Sequence, residues 1–561
     1  MTKARSILVT YSGYPAVPSS LMPDNGLASL AGCLEAEGYN TLIIDYETVD
    51  IIHRLVPDEY RKKLGEMYPK LMSIDDKIYN LPKKLFYGIR LKHIDNELTK
   101  HREKVAYELA EGLINIVKKE KPDFVGFKLW VGDGFDASVI IAEQLKKEFP
   151  NIKLYAGGPL VDFAKENIYK RTDVFDALSY GEGEETILGL AEHSVGKRDL
   201  KDIPNLIYKD GNEIKKTQIK RVEDLNKLPY PVYDEDIYPA MEGDNKIKII
   251  VIDESRGCPY GCGFCSHQEK SGNYWRKKTP ERVVYEIEYF IDRYGIHAFR
   301  YGGSNTPFDL MVDVAEKILS KNLDVDYTSF AHVKNLDPEK LSLLKKSGLY
   351  SLFFGIESGD DRILKDVILK GVNREQIKKA LKASIEASIF TVGSVIFPAP
   401  SETAESRKNT IDLLIEIYKD HLDMGAVPVT FPGLYPTSKW GRDPEKFGFS
   451  LNNPETYVED MMNYKMKHML PPQFWKELPY KVDGKSFKKF AKETEIFLKE
   501  LERNGILTWV SDDTALIGHL YDPKISIREF RDLCREVLYV GDYERMGDIV
   551  GKVNKSSARR I

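Results

Sequence analysis

The chain has 561 residues, of which 42% are hydrophobic and 30% charged, and its formal net charge is −5 at pH 7. This is the composition of a globular protein with several domains, and it gives no global electrostatic reason to expect binding to nucleic acid or to an anionic membrane. No apolar run reaches the ~18–20 residues that span a bilayer, and the first residues lack the apolar core of a signal peptide. We therefore expect a cytoplasmic protein with no membrane span and no nucleic-acid partner.

The first 195 residues alternate between short apolar runs and helical patterns. This predicts a doubly wound, Rossmann-like α/β domain, a mostly parallel sheet with helices on both faces. Strands are predicted at residues 6–10, 40–45, 124–129, 153–156 and 177–180, and helices at 24–37, 105–119 and 137–148. Ligands of such sheets bind at the carboxyl ends of the strands. Those ends carry Ser12, Gly13, Trp130, Gly157, Gly158, Pro159, Gly181 and Glu182.

A long insertion at residues 52–104 separates the second predicted strand from the third. Its apolar residues recur near helical spacing, and it carries 13 Lys and Arg against 8 Asp and Glu. The pattern predicts a helical cap with a solvated basic face. The alternative is a lid, or a docking surface for an anionic substrate or partner. Residues 200–245 contain a hairpin pattern and several prolines, and they are predicted to be a stiff linker.

Residues 246–440 alternate in the same way. Strands are predicted at 246–253, 297–301, 324–331, 350–356, 390–397 and 426–431, with helices at 280–294, 308–320, 338–347, 373–388 and 402–420. Six strand–helix units predict a partial (β/α)6 barrel of TIM-like type, whose sites form at the carboxyl ends of the strands. His332 follows the third of these strands and is a candidate to point into the cavity.

Residues 441–561 are predicted to form a mainly helical accessory region. An amphipathic pattern predicts a helix at 485–503, and a capping box precedes another at 527–538. Between them, residues 506–510 and 515–520 are predicted to pair as a short hairpin. We find no catalytic motif in this region.

Three of the five cysteines lie close together, as Cys258, Cys262 and Cys265. Thiolates at this spacing suit a soft metal ion or an iron–sulfur cluster. Three ligands would leave one iron of a 4Fe–4S cluster open to a small molecule. The alternative is a zinc site, for which His267 is the nearby fourth ligand. The other two cysteines are expected to be buried in the core.

The segment Cys258-x3-Cys262-x-Phe264-Cys265, placed directly after an apolar strand, resembles the signature of the radical S-adenosylmethionine (SAM) enzymes. The resemblance implies a 4Fe–4S cluster on the three cysteines, with the open iron binding SAM. An electron from the cluster would then cleave SAM to a 5′-deoxyadenosyl radical. The resemblance also implies an external electron donor of the flavodoxin or ferredoxin type.

Three later strand ends resemble the stretches with which this family contacts SAM. By this resemblance, the SAM-binding residues are Phe264, Gly302, Gly303, Ser304, Glu357, Ser358 and Gly393. The chain departs from the family at Ser304, because a carboxylate is expected directly after the two glycines.

The segments 24–31, 121–126, 156–159 and 180–185 resemble the cobalamin-binding domain that precedes many radical SAM domains. The resemblance implies that the eight strand-end residues of the first sheet bind cobalamin. The Asp-x-His-x-x-Gly motif that gives cobalt a histidine in the mutases is absent, since Tyr11, Ser12 and Gly13 follow the first strand. The implied domains are 1–199 for cobalamin, 200–245 for the linker, 246–440 for the radical SAM core and 441–561 for the accessory region.

The function that this resemblance implies is cobalamin-dependent radical SAM chemistry, with methylation of an unactivated carbon in a small molecule or a peptide. An sp³ carbon has no lone pair with which to attack SAM, so only a radical route opens it. The alternatives are a radical SAM cyclase, oxidase or rearrangement enzyme with the same domains. A tRNA methylthiotransferase and a non-catalytic cobalamin-binding or electron-transfer protein are the remaining alternatives.

Overall fold

A seven-stranded sheet forms the N-terminal part of the protein. In the computed structural model, which describes residues 3–72, 81–467 and 470–559, its strands run in the order β2-β1-β3-β4-β5-β6-β7. The first five strands are parallel, and the last two form an antiparallel hairpin at one edge. The strands are β1 (Arg5–Thr10), β2 (Asn40–Asp45), β3 (Phe124–Lys128), β4 (Lys153–Gly157), β5 (Ala177–Ser179), β6 (Leu206–Asp210) and β7 (Glu213–Lys216).

The alternation of side chains along β1 explains why this sheet is covered on both faces. Ile7 and Val9 lie in one apolar core and Leu8 lies in another, because successive residues of a strand point to opposite faces. The predicted doubly wound α/β domain is confirmed, and the hairpin predicted within the linker extends its sheet. The helices around the sheet are α1 (Asn25–Ala36), α2 (Val49–Leu55), α3 (Asp58–Met72), α4 (Leu81–Glu120), α5 (Asp133–Glu148), α6 (Pro159–Ala164) and α7 (Glu184–Ser194).

The insertion is helical where the structure describes it; residues 73–80, which the prediction also covered, lie outside the described residues. Leu64 and Met67 of α3 and Leu91 and Ile94 of α4 are buried together in a small core of their own. The helix predicted at 105–119 is the second half of α4, so the insertion and the first domain share one helix of 40 residues. Neither α4 nor any other described helix has an apolar stretch long enough to cross a bilayer.

A second parallel sheet follows, in the order β8-β11-β12-β13-β14-β15. A short antiparallel pair, β9 and β10, brackets the cysteine segment. The predicted partial barrel of six strand–helix units is confirmed. Its elements are β8 (Ile250–Ile252), β9 (Ser255–Arg256), α8 (His267–Ser271), β10 (Arg276–Lys277), α9 (Pro280–Tyr294), β11 (Ala298–Tyr301), α10 (Phe308–Ser320), β12 (Asp326–Ala331), α11 (Leu341–Lys346), β13 (Leu349–Glu357), α12 (Asp361–Ile363), α13 (Arg374–Glu386), β14 (Phe390–Ile396), α14 (Ala404–Tyr418), β15 (Gly425–Val427) and β16 (Val429–Thr430).

The C-terminal region is mainly helical, as predicted, but its predicted hairpin is wrong. Residues 507–508 form a strand that pairs in parallel with β15 of the barrel, and a helix follows at once. The run Ala515–Leu520 is apolar almost throughout, so its periodicity does not separate a strand from a helix. The elements are α15 (Lys439–Arg442), β17 (Phe449–Leu451), α16 (Tyr457–Met462), β18 (Tyr480–Val482), α17 (Phe487–Arg503), β19 (Leu507–Thr508), α18 (Asp512–Tyr521), α19 (Ile527–Val540) and α20 (Tyr543–Ser557).

The last three helices connect the two sheets. Leu516, Phe530 and Val537 are buried in the same core as Val9 of the first sheet. At its start, α18 turns Asp512 toward the barrel, where its carboxylate lies 3.0 Å from Arg300 Nε. The accessory region therefore packs on both domains at once.

A fully buried ion pair fixes the linker to the first sheet. Lys246 Nζ lies 2.7 Å from Asp45 Oδ2 and donates to the Glu47 carbonyl at 2.7 Å. Tyr238 donates its hydroxyl to the same Asp45 carboxylate at 2.5 Å. Neither side chain of the Lys246–Asp45 pair is exposed to solvent, so the loss of one charge leaves the other buried without compensation.

We predict that Lys246→Met lowers the free energy of unfolding by about 3–5 kcal/mol, because the Asp45 carboxylate loses its cation inside the protein. Chemical denaturation followed by circular dichroism measures the change. Lys248→Met is the matched control, since Lys248 is only half-buried. Equal stability of the two variants would contradict the prediction.

Candidate active site

The cysteine segment is a loop between β9 and β10. Backbone hydrogen bonds to residues outside the loop fix its position. The Gly263 N–H donates to the Ile368 carbonyl at 2.7 Å, and the Gly263 carbonyl accepts from the Trp440 N–H at 2.9 Å. A Cβ on Gly263 would lie 2.7 Å from the Val367 oxygen, so only glycine fits there. Phe264, predicted to contact SAM, packs against Trp440 with ring centroids 5.8 Å apart.

The three thiols fit an iron–sulfur cluster better than a single metal ion. Among the described residues, no three His, Cys, Asp or Glu side chains are grouped so as to hold one metal ion. A cubane cluster needs no such grouping, because each thiolate binds a different iron. Burial raises the pKa of Cys262 to about 12 in the free thiol. The His267 N–H lies 3.5 Å from Cys265 Sγ, in position to donate to a thiolate.

Gly302 and Gly303 end β11, where the chain passes close to β8 and β9. A Cβ on Gly303 would lie 2.3 Å from Glu254 Oε1, and one on Gly302 would lie 2.7 Å from Val251 Cγ1. Glu254 is fully buried and accepts from the Gly303 N–H at 3.0 Å and from Thr306 Oγ1 at 2.7 Å. Burial raises the pKa of Glu254, and these hydrogen bonds oppose the rise. The sequence reasoning missed this carboxylate, which precedes the cysteine loop.

A second buried carboxylate, Glu357, ends β13 beside the cysteine loop. Lys370 Nζ lies 3.0 Å from Glu357 Oε1, and both side chains are about nine-tenths buried. Burial alone would lower the pKa of Lys370, but Glu357 and the Cys262 sulfur outweigh it and raise the pKa. Lys370 was not singled out in the sequence; its position directly before Gly371, at the end of an apolar stretch, was the available signal.

His332 lies against the cysteine loop, as its position after β12 suggested. Its ring stacks on Tyr260, with centroids 3.7 Å apart and an interplanar angle of 4°. The Lys334 N–H donates to Nδ1 at 3.3 Å, which places the ring proton on Nε2. Within the described part of the chain, His332 Nε2 and Asn305 Nδ2 are buried polar atoms without a hydrogen-bond partner. Two unsatisfied donors at neighbouring strand ends are a mark of a ligand site.

The other predicted SAM contacts differ in where their side chains lie. Ser304 Oγ is 3.1 Å from His267 Nδ1, at the mouth of the loop. The Ser358 hydroxyl accepts from the Asp360 N–H at 3.2 Å and is 3.4 Å from Thr410 Oγ1, so protein groups occupy it. Gly393 faces the helical layer, since a Cβ there would lie 3.4 Å from Leu381. Its neighbour Ser394 instead reaches Glu357 Oε2 at 3.4 Å.

The order of the strands in the first sheet reverses between β1 and β3. Such sheets bind ligands there, at the carboxyl ends of the strands. Gly13, Gly158 and Gly181 all have positive φ there, and a Cβ on Gly181 would meet nothing within 4 Å. Gly157 and Pro159 flank Gly158, and Pro159 is exposed. Glycine adopts this backbone region without strain and lets a large ligand approach closely. The edge therefore fits a planar cofactor such as cobalamin.

A polar chain runs along the same edge. Trp130 Nε1 donates to Thr10 Oγ1 at 3.0 Å, and Thr10 Oγ1 lies 3.5 Å from Glu47 Oε1. Ser12 makes a small contribution that lowers the pKa of Glu47. Burial, with a smaller contribution from Asp45, raises the pKa of Glu47 to about 7. Sequence reasoning found Trp130 and Ser12 but missed Glu47, which follows the second strand by two residues.

Glu182, predicted to bind cobalamin, is instead engaged by protein groups. Its carboxylate accepts two bonds from Arg276, at 2.5 and 2.9 Å, and one from the Val222 N–H at 2.7 Å. Arg256 Nη1 lies 3.4 Å from Glu182 Oε2, and Arg256 Nη2 lies 2.5 Å from Glu184 Oε1. Glu182 thus joins the first sheet to the two strands that bracket the cysteine loop.

Comparison with known proteins identifies both parts of the chain. The sequence profile described as the radical SAM superfamily matches residues 254–414, and the one described as the B12 binding domain matches residues 87–191. The chain therefore contains a radical SAM domain preceded by a B12-binding domain. The cofactors that these two domains imply are a 4Fe–4S cluster, SAM and cobalamin, and the three thiols and the glycine-rich edge fit them.

Individual proteins are also similar to this chain. A protein of Pyrococcus horikoshii described as an uncharacterized methyltransferase is 27% identical over 72% of this chain and 88% of its own length. A protein of Methanocaldococcus jannaschii, named provisionally as a methylthiotransferase, is 32% identical over 48% of this chain, which spans only 58% of that relative. The radical SAM methyltransferase TsrM of Kitasatospora setae, solved with cobalamin and a [4Fe-4S] cluster, shares the fold with a TM-score of 0.62. It is 14% identical, and the match covers 97% of this chain and all of that one.

We predict that His332 stays neutral across physiological pH, because burial, helped by the cations Lys370 and Lys334, lowers its pKa to about 3. His332 takes up a proton near pH 6.5 in the unfolded chain but stays neutral in the folded chain. Stability therefore falls as the pH falls below that value. Between pH 7.5 and 5.5, the unfolding free energy should fall by about 1 kcal/mol more for the native protein than for His332→Gln.

Denaturation at several pH values under anaerobic conditions measures this difference. His421→Gln, at an exposed histidine, is the control and should keep the native pH profile. Parallel profiles for the native protein and His332→Gln would show that His332 titrates normally.

Proposed function

We propose that this protein is a cytoplasmic, cobalamin-dependent methyltransferase that acts on an unactivated carbon of a small molecule or peptide. The observation that carries the proposal is the direct contact between α8, in the cysteine segment, and helix α6 with the residue directly after it, which follow β4. Lys270 Nζ of α8 lies 2.9 Å from Asp162 Oδ2, and Glu269 Oε1 lies 2.5 Å from Lys165 Nζ. The helix after the third cysteine therefore touches the segment directly after Gly157, Gly158 and Pro159.

Two cofactor edges in contact suit a reaction that uses both. When bound, the cluster and SAM supply a carbon-centred radical, and cobalamin supplies a methyl group suited to one-electron transfer. A protein that used only one of them would not require the two strand-end edges to abut. Electrons would come from a flavodoxin- or ferredoxin-type donor.

In this proposal the chain binds the cofactors, orients them and excludes water from the site. Cys258, Cys262 and Cys265 hold the cluster, and Gly302 and Gly303 keep the β11 end open beside it. Ser304, Glu357 and the backbone at Gly393 border the SAM pocket, while the Phe264 and Ser358 side chains support it through Trp440 and Thr410. Ser12, Gly13, Trp130, Gly157, Gly158, Pro159 and Gly181 border cobalamin.

The buried polar groups suit the polar parts of a ligand. The neutral His332 donates from Nε2, since its Nδ1 is already bonded. The Lys370–Glu357 pair keeps a cation next to the Cys262 sulfur, where an anionic cluster or a carboxylate would be stabilised. Lys370 is buried with a partner, so it stays charged.

Methylthiolation of tRNA is the less favoured alternative, although one relative is named for methylthiotransfer. That reaction would need a second cluster and three further cysteines in the N-terminal domain. Residues 1–199 contain only Cys33, which is buried and whose pKa burial raises to about 12. A radical SAM cyclase or oxidase with the same domains would need every residue named above, and only its products distinguish it.

We predict that replacing Cys258, Cys262 and Cys265 by serine abolishes the iron–sulfur absorbance and all 5′-deoxyadenosine, because it removes all three thiolates of the cysteine loop. The measurement is anaerobic reconstitution with iron and sulfide, followed by incubation with SAM and dithionite. Cys534→Ala, at a buried thiol of the accessory region, is the control and should retain both signals. Undiminished 5′-deoxyadenosine from the triple variant would refute the cluster assignment.

We predict that the protein reconstituted with cobalamin forms S-adenosylhomocysteine as well as 5′-deoxyadenosine from SAM and titanium(III) citrate. Bound cobalamin would accept the methyl group of SAM, which would leave the first product, and an electron from the cluster would cleave SAM to the second. Liquid chromatography with mass spectrometry quantifies both. Formation of 5′-deoxyadenosine alone would favour the cyclase or oxidase alternative over methylation.

A further inference from the structure

Helix α4 begins with apolar residues on two opposite faces. Leu91 and Ile94 face the small core that they share with α3 and are about 95% buried. On the other face, Leu85, Phe86 and Ile89 are 60%, 54% and 62% exposed. An amphipathic helix of a globular protein normally exposes a polar face instead. The packing of the described residues therefore does not explain the second apolar face.

Phe474 extends this surface, and we call Leu85, Phe86, Ile89 and Phe474 the apolar tip. Phe474 is 57% exposed, and its ring lies 3.9 Å from where a Cβ on Gly88 would stand. The tip thus joins two segments that are far apart in sequence. Large apolar side chains exposed side by side mark an interaction surface.

Cations surround the apolar tip. At 100° per residue, Leu85, Ile89 and Phe86 fall within one arc of about 100° on the helix. The exposed Lys83, Arg90 and Lys92 fall on either side of that arc. No Asp or Glu occurs between residues 81 and 94, although the whole chain has a net charge of −5. The Arg90 guanidinium lies 5.6 Å from the centre of the Phe86 ring.

We propose that the apolar tip docks on the surface of an anionic lipid bilayer. A helix that presents Phe, Leu and Ile on one arc, flanked by Lys and Arg, has the composition of helices that lie in the membrane interface. The apolar side chains enter the acyl boundary, while the long cationic side chains reach the headgroup phosphates.

The size of the tip favours a bilayer over a protein partner. Leu85 to Ile89 covers only about 6 Å of helix axis. A stable protein interface buries about 800 Å² on each side, more than four side chains supply. An interfacial helix needs only to insert its apolar side chains into a continuous surface.

Docking would also orient the candidate active site. The same helix reaches Arg102, whose Nη1 lies 3.4 Å from Asp133 Oδ2 directly beyond β3. Residue 102 is about 24 Å along the helix from residue 86. The tip therefore sets both the distance and the direction of the cobalamin edge relative to the membrane. This inference does not depend on the reaction that the enzyme catalyses.

Flotation of the full-length protein with lipid vesicles tests the proposal without any turnover. We expect binding to vesicles of phosphatidylcholine with about 30% phosphatidylglycerol, and little binding to phosphatidylcholine alone. High salt should weaken binding because it screens the cations. Phe86→Asp/Ile89→Asp should reduce the bound fraction about tenfold by removing the inserted side chains and adding negative charge.

The control is Ile496→Asp, which introduces one negative charge, against two in the tip variant, at an isoleucine that is 45% exposed on α17. It should bind vesicles like the native protein, and circular dichroism should show that all variants are folded. No binding to the anionic vesicles, or equal binding by the tip variant, would overturn the proposal. A dimer seen by light scattering and abolished by the tip variant would also overturn it, because a second copy would then cover the tip.

Discussion

The structure depends on a buried ionic group that joins the two sheets at the base of the cysteine loop. Arg256 ends the strand before the loop, and Arg276 starts the strand after it. Both guanidinium groups reach Glu182, which follows the last parallel strand of the first sheet. Paired and hydrogen-bonded charges of this kind tolerate burial, but one left without its partner does not. The loop and the first sheet are therefore held in one relative position.

This junction makes the other contacts between the domains possible. It brings α8, next to the third cysteine, against α6 and the residue directly after it, where two further ion pairs form. Arg256 also holds Glu184 at the start of α7 and Asp253 at the end of β8. Burial alone would raise the pKa of Asp253, but Arg256 and Lys278 hold it below its usual value. The two strand-end edges meet where these charge pairs hold the first sheet against the cysteine loop.

The local features of the fold could be predicted from the sequence because they depend on neighbouring residues. The period of apolar residues gave the strands of both sheets, and Thr279 with Pro280 marked the start of α9, where the Thr279 hydroxyl caps the helix. The cysteine spacing and the glycines after each strand marked the site for the same reason. The hairpin in the accessory region was predicted wrongly because a continuous apolar run has no distinguishing period.

Long-range pairing could not be predicted in this way. Glu182 was assigned to cobalamin from its place at a strand end, yet its partner Arg276 lies 94 residues away. Lys370, Glu254 and Glu47 escaped notice because a single charged residue after an apolar stretch has no pattern of its own. Their roles depend on burial and on partners that only the folded chain brings together. The strand predicted at 506–510 is present as β19, but its pairing with β15, from more than 80 residues away, escaped prediction for the same reason.

The accessory region and the insertion complete the enclosure of the two edges. Tyr14, beyond β1, donates to the Leu538 carbonyl of α19 at 2.5 Å, and Lys467 reaches Asp95 of α4 at 2.6 Å. Both segments thus pack beside the first sheet's carboxyl edge, where a substrate would enter. They carry no catalytic pattern, which suits a role in shaping access.

The central claim is that one chain holds a 4Fe–4S cluster and cobalamin together. Elemental analysis of protein purified without oxygen from cells supplied with cobalamin tests it most directly. We expect about four iron atoms and one cobalt atom per chain. Replacing the three cysteines should remove the iron and leave the cobalt in place. Zinc at one atom per chain in place of iron, or full iron with no cobalt, would contradict it.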